Sequence, residues 1–203
     1  AQSAGSSQLT SFDSDGFSLG TDDRVSGSGH TYVSWNWKAG GSGSANNDGS
    51  INTTSTSANS TSGISISKFT STGSAATIGH GMSAIPKMIW VKRTDSSGSW
   101  QVYHASLGAT KYLELQNTQE VYASSARWND TTPTSSVFSI AGEFLSSAVN
   151  ISYAFAEKTG YCKIGSYEGN GNADGTFIYT GFKPAWLLVK STAGSQQWLM
   201  MDN

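Results

Sequence analysis

One cysteine, three prolines and few charges mark this 203-residue sequence. Cys162 stands alone, which excludes an intrachain disulfide and a cysteine-based zinc cluster. Between Tyr161 and Lys163, in a strand-like run, it reads as a small buried hydrophobe. Charged residues make up 13% of the chain, against about 25% in ordinary globular domains. The formal net charge is −2, and Lys92-Arg93 is the only adjacent basic pair. With no polybasic stripe, nucleic acid and anionic lipid are poor partners. No apolar run approaches the roughly 20 residues that span a bilayer, so membrane insertion is not expected. There is no signal peptide, and the first residue is Ala, which reads as a processed form or a fragment.

Ser, Thr, Gly and Asn fill the space that charge leaves. A surface hydrated through hydroxyl and amide groups is the profile of secreted adhesins, fibres and virion proteins. The periodicity is that of strands. Val33-Ser34-Trp35-Asn36-Trp37 alternates apolar and polar, as do Ile64-Ser65-Ile66, Tyr112-Leu113-Glu114-Leu115 and Ile151-Ser152-Tyr153-Ala154-Phe155. Met88-Ile89-Trp90-Val91 and Ala185-Trp186-Leu187-Leu188-Val189 are continuous apolar runs shortly after a proline. They read as strands buried on both faces, with Trp90 and Trp186 in the core. No stretch of twelve residues shows a helical stripe, so the fold class is all-β.

Residues 39–62, AGGSGSANNDGSINTTSTSANSTS, have little to bury and read as a surface loop or linker. Residues 1–8 read as a flexible tail, 9–38 as the first strands of a sandwich and 63–203 as its remainder. The chain also repeats itself. Gly63 to Phe69 returns as Gly160 to Tyr167. Gly73, Pro86, Val91-Lys92 and Trp100 return 98 positions later as Gly171, Pro184, Val189-Lys190 and Trp198. Upstream, Phe17-Ser18-Leu19 matches Phe138-Ser139-Ile140, and Val33-x-Trp35-x-Trp37 matches Ile151-x-Tyr153-x-Phe155. Residues 138–203 therefore repeat the pattern of 17–104. The second copy stops early, which implies either a longer array or a neighbour that supplies the missing strands.

At YVSWNWKAGG (Tyr32–Gly41), IPKMIWVKR (Ile85–Arg93), SWQVYHASLG (Ser99–Gly108), YAFAEKTGYCKIGSYEGNG (Tyr153–Gly171) and ADGTFIYTGFKPAWLLVK (Ala173–Lys190) the sequence resembles repetitive modules of bacteriophage tail-fibre and virion structural proteins, especially those of marine phages. The resemblance covers nearly the whole chain. It implies an antiparallel β-sandwich of jelly-roll type, concanavalin- or laminin-G-like, and a virion or extracellular location. It carries no catalytic motif, so no catalytic residue comes over with it.

The residues themselves offer few reactive constellations. Most of the fourteen carboxylates lie in loops. Glu114, Glu157 and Glu168 are the ones a polysaccharide depolymerase would use if they faced a groove. His30, His80 and His104 lack metal-ligand spacing, and His80 sits between two glycines in an exposed-turn context. No G-x-S-x-G elbow is present. Asn170, Asn172 and Asp174, followed by Gly175, match the opening of a calcium loop weakly, since only one carboxylate is there and Gly181 stands where the closing Glu belongs. Asp13-Ser14-Asp15-Gly16 is weaker still, and both read equally as tight turns. No other cofactor is expected.

Aromatics give the better lead. Seven Trp and eight Tyr supply both a core and flat rings on which sugars stack. Trp128, followed by Asn129 and Asp130, reads as the exposed ring of a loop. Those three residues, with Tyr103, are the candidates for contact with a host-surface glycan or a neighbouring subunit. The expectation is a non-enzymatic virion module that assembles as a homo-oligomer or with neighbouring virion proteins. A lectin-like domain or a cellular adhesin subunit is the alternative.

Overall fold

The computed structural model describes residues 7–144 and 146–203. The expected tail at 1–8 falls largely outside these residues. By compactness the chain divides after Trp37.

In the N-terminal unit, β1 (Leu9–Phe12) and β2 (Phe17–Leu19) form a two-stranded antiparallel ribbon with Phe12 opposite Phe17. A four-residue turn of helix, α1 (Asp23–Ser26), follows. It is capped by Asp22, whose carboxylate accepts the Arg24 backbone N–H at 2.9 Å. The ribbon is a sheet of its own rather than the first strands of the sandwich. Thr31–Trp37, with strand alternation as clear as any in the chain, lies outside every sheet. Alternation prepares a segment for pairing, but the ladder needs a partner.

The C-terminal unit, from Lys38, holds β3 (Ser55–Asn59), β4 (Ile64–Thr70), β5 (Ala76–Gly79), β6 (Met88–Arg93), β7 (Trp100–His104), β8 (Lys111–Glu114) and β9 (Tyr122–Ala123). It continues with α2 (Ser125–Trp128), β10 (Val137–Ile140), β11 (Val149–Phe155), β12 (Trp186–Val189) and β13 (Leu199–Asp202). The main sheet is antiparallel and seven-stranded, in the order β3-β4-β11-β6-β7-β8-β9. β11 enters between β4 and β6, with Tyr153 opposite both Ile66 and Trp90. β5 and β10 pair as a second layer, and β12 and β13 as a separate hairpin. The fold is an all-β sandwich.

Side-chain alternation puts Phe69, Ile89, Val91, Tyr103 and Ala154 on the inner face of the main sheet. Ile78, Phe138 and Ile140 of the β5–β10 layer meet them, together with Met82, Trp128 and Phe144. Phe69 and Phe138 touch edge-to-face at 6.3 Å. A hydroxyl chain runs beside this core: Thr53 to Thr56 at 2.8 Å, Thr56 to Ser67 at 3.0 Å, and Ser67 to the Gly79 carbonyl at 3.3 Å.

Two expectations change here. The polar stretch 39–62 is not all loop: it contributes β3, the edge strand of the main sheet, and Ile51 bridges to Ile78. Backbone bonds to β4 and the hydroxyl chain replace the apolar burial that its sequence lacks. Nor are the post-proline strands sealed on both faces. β6 buries Ile89 and Val91 fully and leaves Trp90 half-buried, and β12 buries none of its residues fully.

Candidate functional site

Two of the four residues expected to contact ligand, Trp128 and Tyr103, lie inside the sandwich. Trp128 is 1% exposed, seated edge-on against Tyr103 at 5.9 Å and tilted on Phe144 at 5.9 Å. It is a core residue, and Tyr103 is buried with it. The neighbouring Asn129 and Asp130 are exposed, as expected, but for a backbone reason. Both have positive φ, and Asn129 is the left-handed C-cap of α2.

The Asn170 loop closes on itself. Its amide nitrogen donates to the Asp174 carbonyl at 2.8 Å, and its oxygen accepts the Asn172 N–H at 3.1 Å. That is an Asx turn, with the oxygen expected of a calcium ligand already engaged. Among the described residues no three His, Cys, Asp or Glu side chains come together as a metal site. Ser18 Oγ donates to Asp13 at 2.8 Å in the second acidic turn.

Several of the other reactive side chains are engaged locally. The Glu114 carboxylate accepts Gln116 at 2.8 Å and Asn117 at 2.6 Å. Glu157 pairs with Lys163 at 3.0 Å and accepts the Ile164 N–H. At Glu168 it is the backbone carbonyl, not the carboxylate, that accepts the Thr176 hydroxyl at 2.9 Å, and the side chain is exposed. His80 is buried, not exposed. Its Nδ1 accepts the Met82 N–H at 3.3 Å while Nε2 faces the Thr134 carbonyl at 3.2 Å, which assigns the neutral Nε2–H tautomer. Burial pushes its pKa down, opposed by the hydrogen bond to the Thr134 carbonyl and by the charge of Asp48. Burial lowers His104 as well. His30 lies 3.4 Å from the Tyr32 hydroxyl. Cys162 is half-buried rather than enclosed, and that burial pushes its thiol up.

What the structure does assemble is the repeat. In the β6–β7 hairpin, Val91 lies opposite Gln101, Trp90 opposite Val102 and Ile89 opposite Tyr103. In the β12–β13 hairpin, Val189 lies opposite Leu199, Leu188 opposite Met200 and Leu187 opposite Met201. Each pair is the earlier one moved 98 positions, so the two hairpins share one register. The turns agree as well: Gly63 and Gly160 have φ of 70° and 73°, and Gly73 and Gly171 have 76° and 68°. The strands around the hairpins differ. β6 is paired on both edges, by β11 and β7, whereas β12 pairs with β13 alone. The Gly160–Tyr167 segment, equivalent to β4, opens on a turn closed by a Lys158–Cys162 bridge and then runs outside every strand.

Apolar exposure follows the same division. Every buried hydrophobic of the core lies between Ile64 and Ala156. Among the described residues every exposed large hydrophobic except Ile85 lies before Lys38 or after Gly160. Val33 is 70% exposed, Phe177 85% and Leu187 45%. Such edges and patches are pairing surfaces in β proteins. The hairpin rests on the central copy through Trp198, whose indole N–H donates to the Glu114 carbonyl at 3.0 Å, and through Val121, whose N–H donates to Thr192 at 3.4 Å.

Two further surfaces stand on the central copy. Its outer sheet face carries half-buried Trp90, Trp100 and Tyr153, with Tyr153 6.5 Å from Trp90 and 6.1 Å from Trp100. The sequence reading placed Trp90 in the core and Trp100 at a repeat position. Their alternation with Ile89, Val91 and Gln101 is the signal that puts them on the opposite face. A separate cleft of about 280 Å³, lined by residues including Gly40, Ser44, Asn46, Thr56 and Gly81, is polar and has no aromatic ring in its wall.

No curated protein and no solved structure matches the chain. A family model does match, over residues 1–203, and the chain belongs to that family, DUF7483, a domain of unknown function.

Proposed function

We propose that this chain is a structural module of a virion or extracellular fibre, a tail-fibre or surface-decorating component. In it, repeats of one β-sandwich assemble and present themselves to a host surface. One observation carries the reading: the β12–β13 hairpin reproduces the β6–β7 register while its second edge lacks the strand that completes the central copy. A protein whose core is complete in one copy and begun in another is suited to stacking, because each repeat buries apolar surface against the next. On this reading the module is not an enzyme.

The test is the mass of the native protein by light scattering over a range of concentrations, with electron microscopy of the same samples. The expected result is concentration-dependent oligomers or filaments. A monomer at every concentration overturns the reading.

A lectin-like role is the second reading, favoured by the half-exposed Trp90, Trp100 and Tyr153 cluster. Flat rings on a sheet face suit the C–H faces of sugars. A glycan array probed with assembled protein should give hits that Trp100→Ala removes. An empty array from assembled protein rejects this role.

A further inference from the structure

We infer that the polar cleft beside β3 binds a single neutral sugar ring. The site needs neither assembly nor the aromatic sheet face, so it goes beyond both readings above. Its walls come almost entirely from one segment: all but Gly81 of the residues that line it lie within 38–62. The repeat shows that this segment is an addition to the sandwich. Between Trp37 and Gly63 run 25 residues, 38–62, whereas between their equivalents Phe155 and Gly160 run four, 156–159. Ser55–Asn59 alone covers the edge of β4. The segment also lays Gly40–Asn46 along the far edge of β3, with Ser44 bridged to Thr56, and this second run walls the cleft.

Glycine at position 81 keeps the cleft open. An added Cβ there would stand 3.3 Å from the Ala58 Cβ and 3.6 Å from both Asn46 Nδ2 and Thr56 Cγ2, all of them groups of the wall. A buried hydroxyl adjoins the inner side. Ser65 lies directly opposite Ala58 in the β3–β4 ladder, so the two side chains stand on one face roughly 5 Å apart. Ser65 is 1% exposed, and its Oγ has no hydrogen-bond partner among the described residues. An unpaired buried hydroxyl is costly, and a ligand hydroxyl, or a water held beneath it, supplies the partner.

The chemistry of the wall selects the ligand. It holds no Asp, Glu, Lys or Arg, so charge does not draw an ion into it, and the Asp48 carboxylate on Asn46 disfavours acidic sugars. The Ser42 and Ser44 hydroxyls have no partner among the described residues. Asn46 Nδ2 keeps one N–H beyond its bond to Asp48, and Ser57 Oγ, which donates to the Gly41 carbonyl at 2.7 Å, keeps its lone pairs. The adjacent hydroxyls of a sugar donate and accept in the same way. A volume of about 280 Å³ matches about nine waters at roughly 30 Å³ each, room for one ring rather than a chain.

The test is a proton–nitrogen NMR titration of the whole chain with glucose, galactose, mannose and N-acetylglucosamine, with glycerol as the polyol control. At least one sugar should shift the amides of Ser42, Ser44, Asn46, Ser57 and Gly81 saturably, with a Kd on the order of millimolar. The Trp90 and Trp100 indole signals should stay in place. Shifts confined to the indoles overturn the inference and support the aromatic face instead. Shifts that grow linearly, as with glycerol, or no shifts at all, overturn it outright.

Two variants locate the site. Ser42→Ala with Ser44→Ala removes hydroxyls that hold nothing in the fold and should weaken binding by about tenfold or more. Gly81→Ala should abolish binding by filling the cleft. Because φ at Gly81 is 65°, a side chain there is also strained, so the unfolding temperature is measured alongside. The serine pair decides the matter if the Gly81→Ala protein does not fold, and parent-like binding by that pair overturns the inference.

Discussion

Truncating Trp128 to alanine separates a core residue from a ligand platform. The indole is fully enclosed, touching Tyr103 and Phe144, and no hydrogen-bond partner is present for its Nε1. Removing a buried Trp costs about 3–5 kcal/mol, because apolar contacts are lost and a cavity remains. For a domain of this size each kcal/mol moves the melting temperature by about 2–4 °C, so the expected drop is roughly 6–20 °C. Trp128→Phe is the informative companion. It keeps a ring against Tyr103 and removes the buried unpartnered N–H, whose desolvation costs about 1–3 kcal/mol. Its net loss should therefore be small, about 1–2 kcal/mol. The assay is urea unfolding followed by circular dichroism, with the slope compared between variants so that a changed denatured state is not mistaken for lost stability. A Trp128→Ala protein within about 0.5 kcal/mol of the parent would behave as a surface substitution does. That result would refute the packing argument and return Trp128 to the candidate binding residues.

Other outcomes follow from the same structure. Burial holds the pKa of His80 and His104 below that of an exposed imidazole, so the unfolded chain takes up protons first as pH falls. Their contribution is complete above about pH 6.5 and is lost as pH drops through that value toward the folded pKa. Unfolding free energies at pH 7.5 and 5.5 should show the decline, and His80→Gln should reduce its slope. At Gly63 an added Cβ meets the Ala156 carbonyl at 2.7 Å, whereas at Gly160, its repeat equivalent, it meets open space. Gly63→Ala should cost more than the roughly 1–2 kcal/mol of a left-handed non-glycine residue, and Gly160→Ala no more than that. Trp198→Phe removes the donor to the Glu114 carbonyl. It should speed amide exchange in β12 and β13 and leave the protection of β11 unchanged, as read by mass spectrometry.

Much of the central sandwich is legible in the sequence because its strands carry their own signal. β4, β8 and β11 alternate, and β6 is an apolar run. β3 is silent, since Ser55–Asn59 is held through its backbone and hydroxyls, and nothing apolar marks it. Trp128 misleads because Asn129-Asp130 looks like a surface loop, whereas those residues end a short helix with their side chains outward and the indole inward. Thr31–Trp37 misleads in the opposite sense: local pattern specifies a strand, but pairing is a tertiary property. The repeat is the most informative reading, because an offset found in the letters alone reappears as a hairpin register. The aromatic cluster is not legible, since the sequence shows alternation but not which face becomes the interior.

A chain built of near-copies risks threading a strand into the wrong copy. Two buried residues of β11, Asn150 and Ala154, disfavour that error. Asn150 is buried with its amide donated to Ser71 at 3.1 Å and to the Ala148 carbonyl at 2.8 Å, and Ala154 is buried within the core cluster. Thr31–Trp37, threaded there instead, would bring Tyr32 to the first position and Asn36 to the second. Overpacking costs about 1–3 kcal/mol, and an unpartnered buried amide about as much again. The same burial that seats β11 therefore keeps a look-alike segment out of the finished copy.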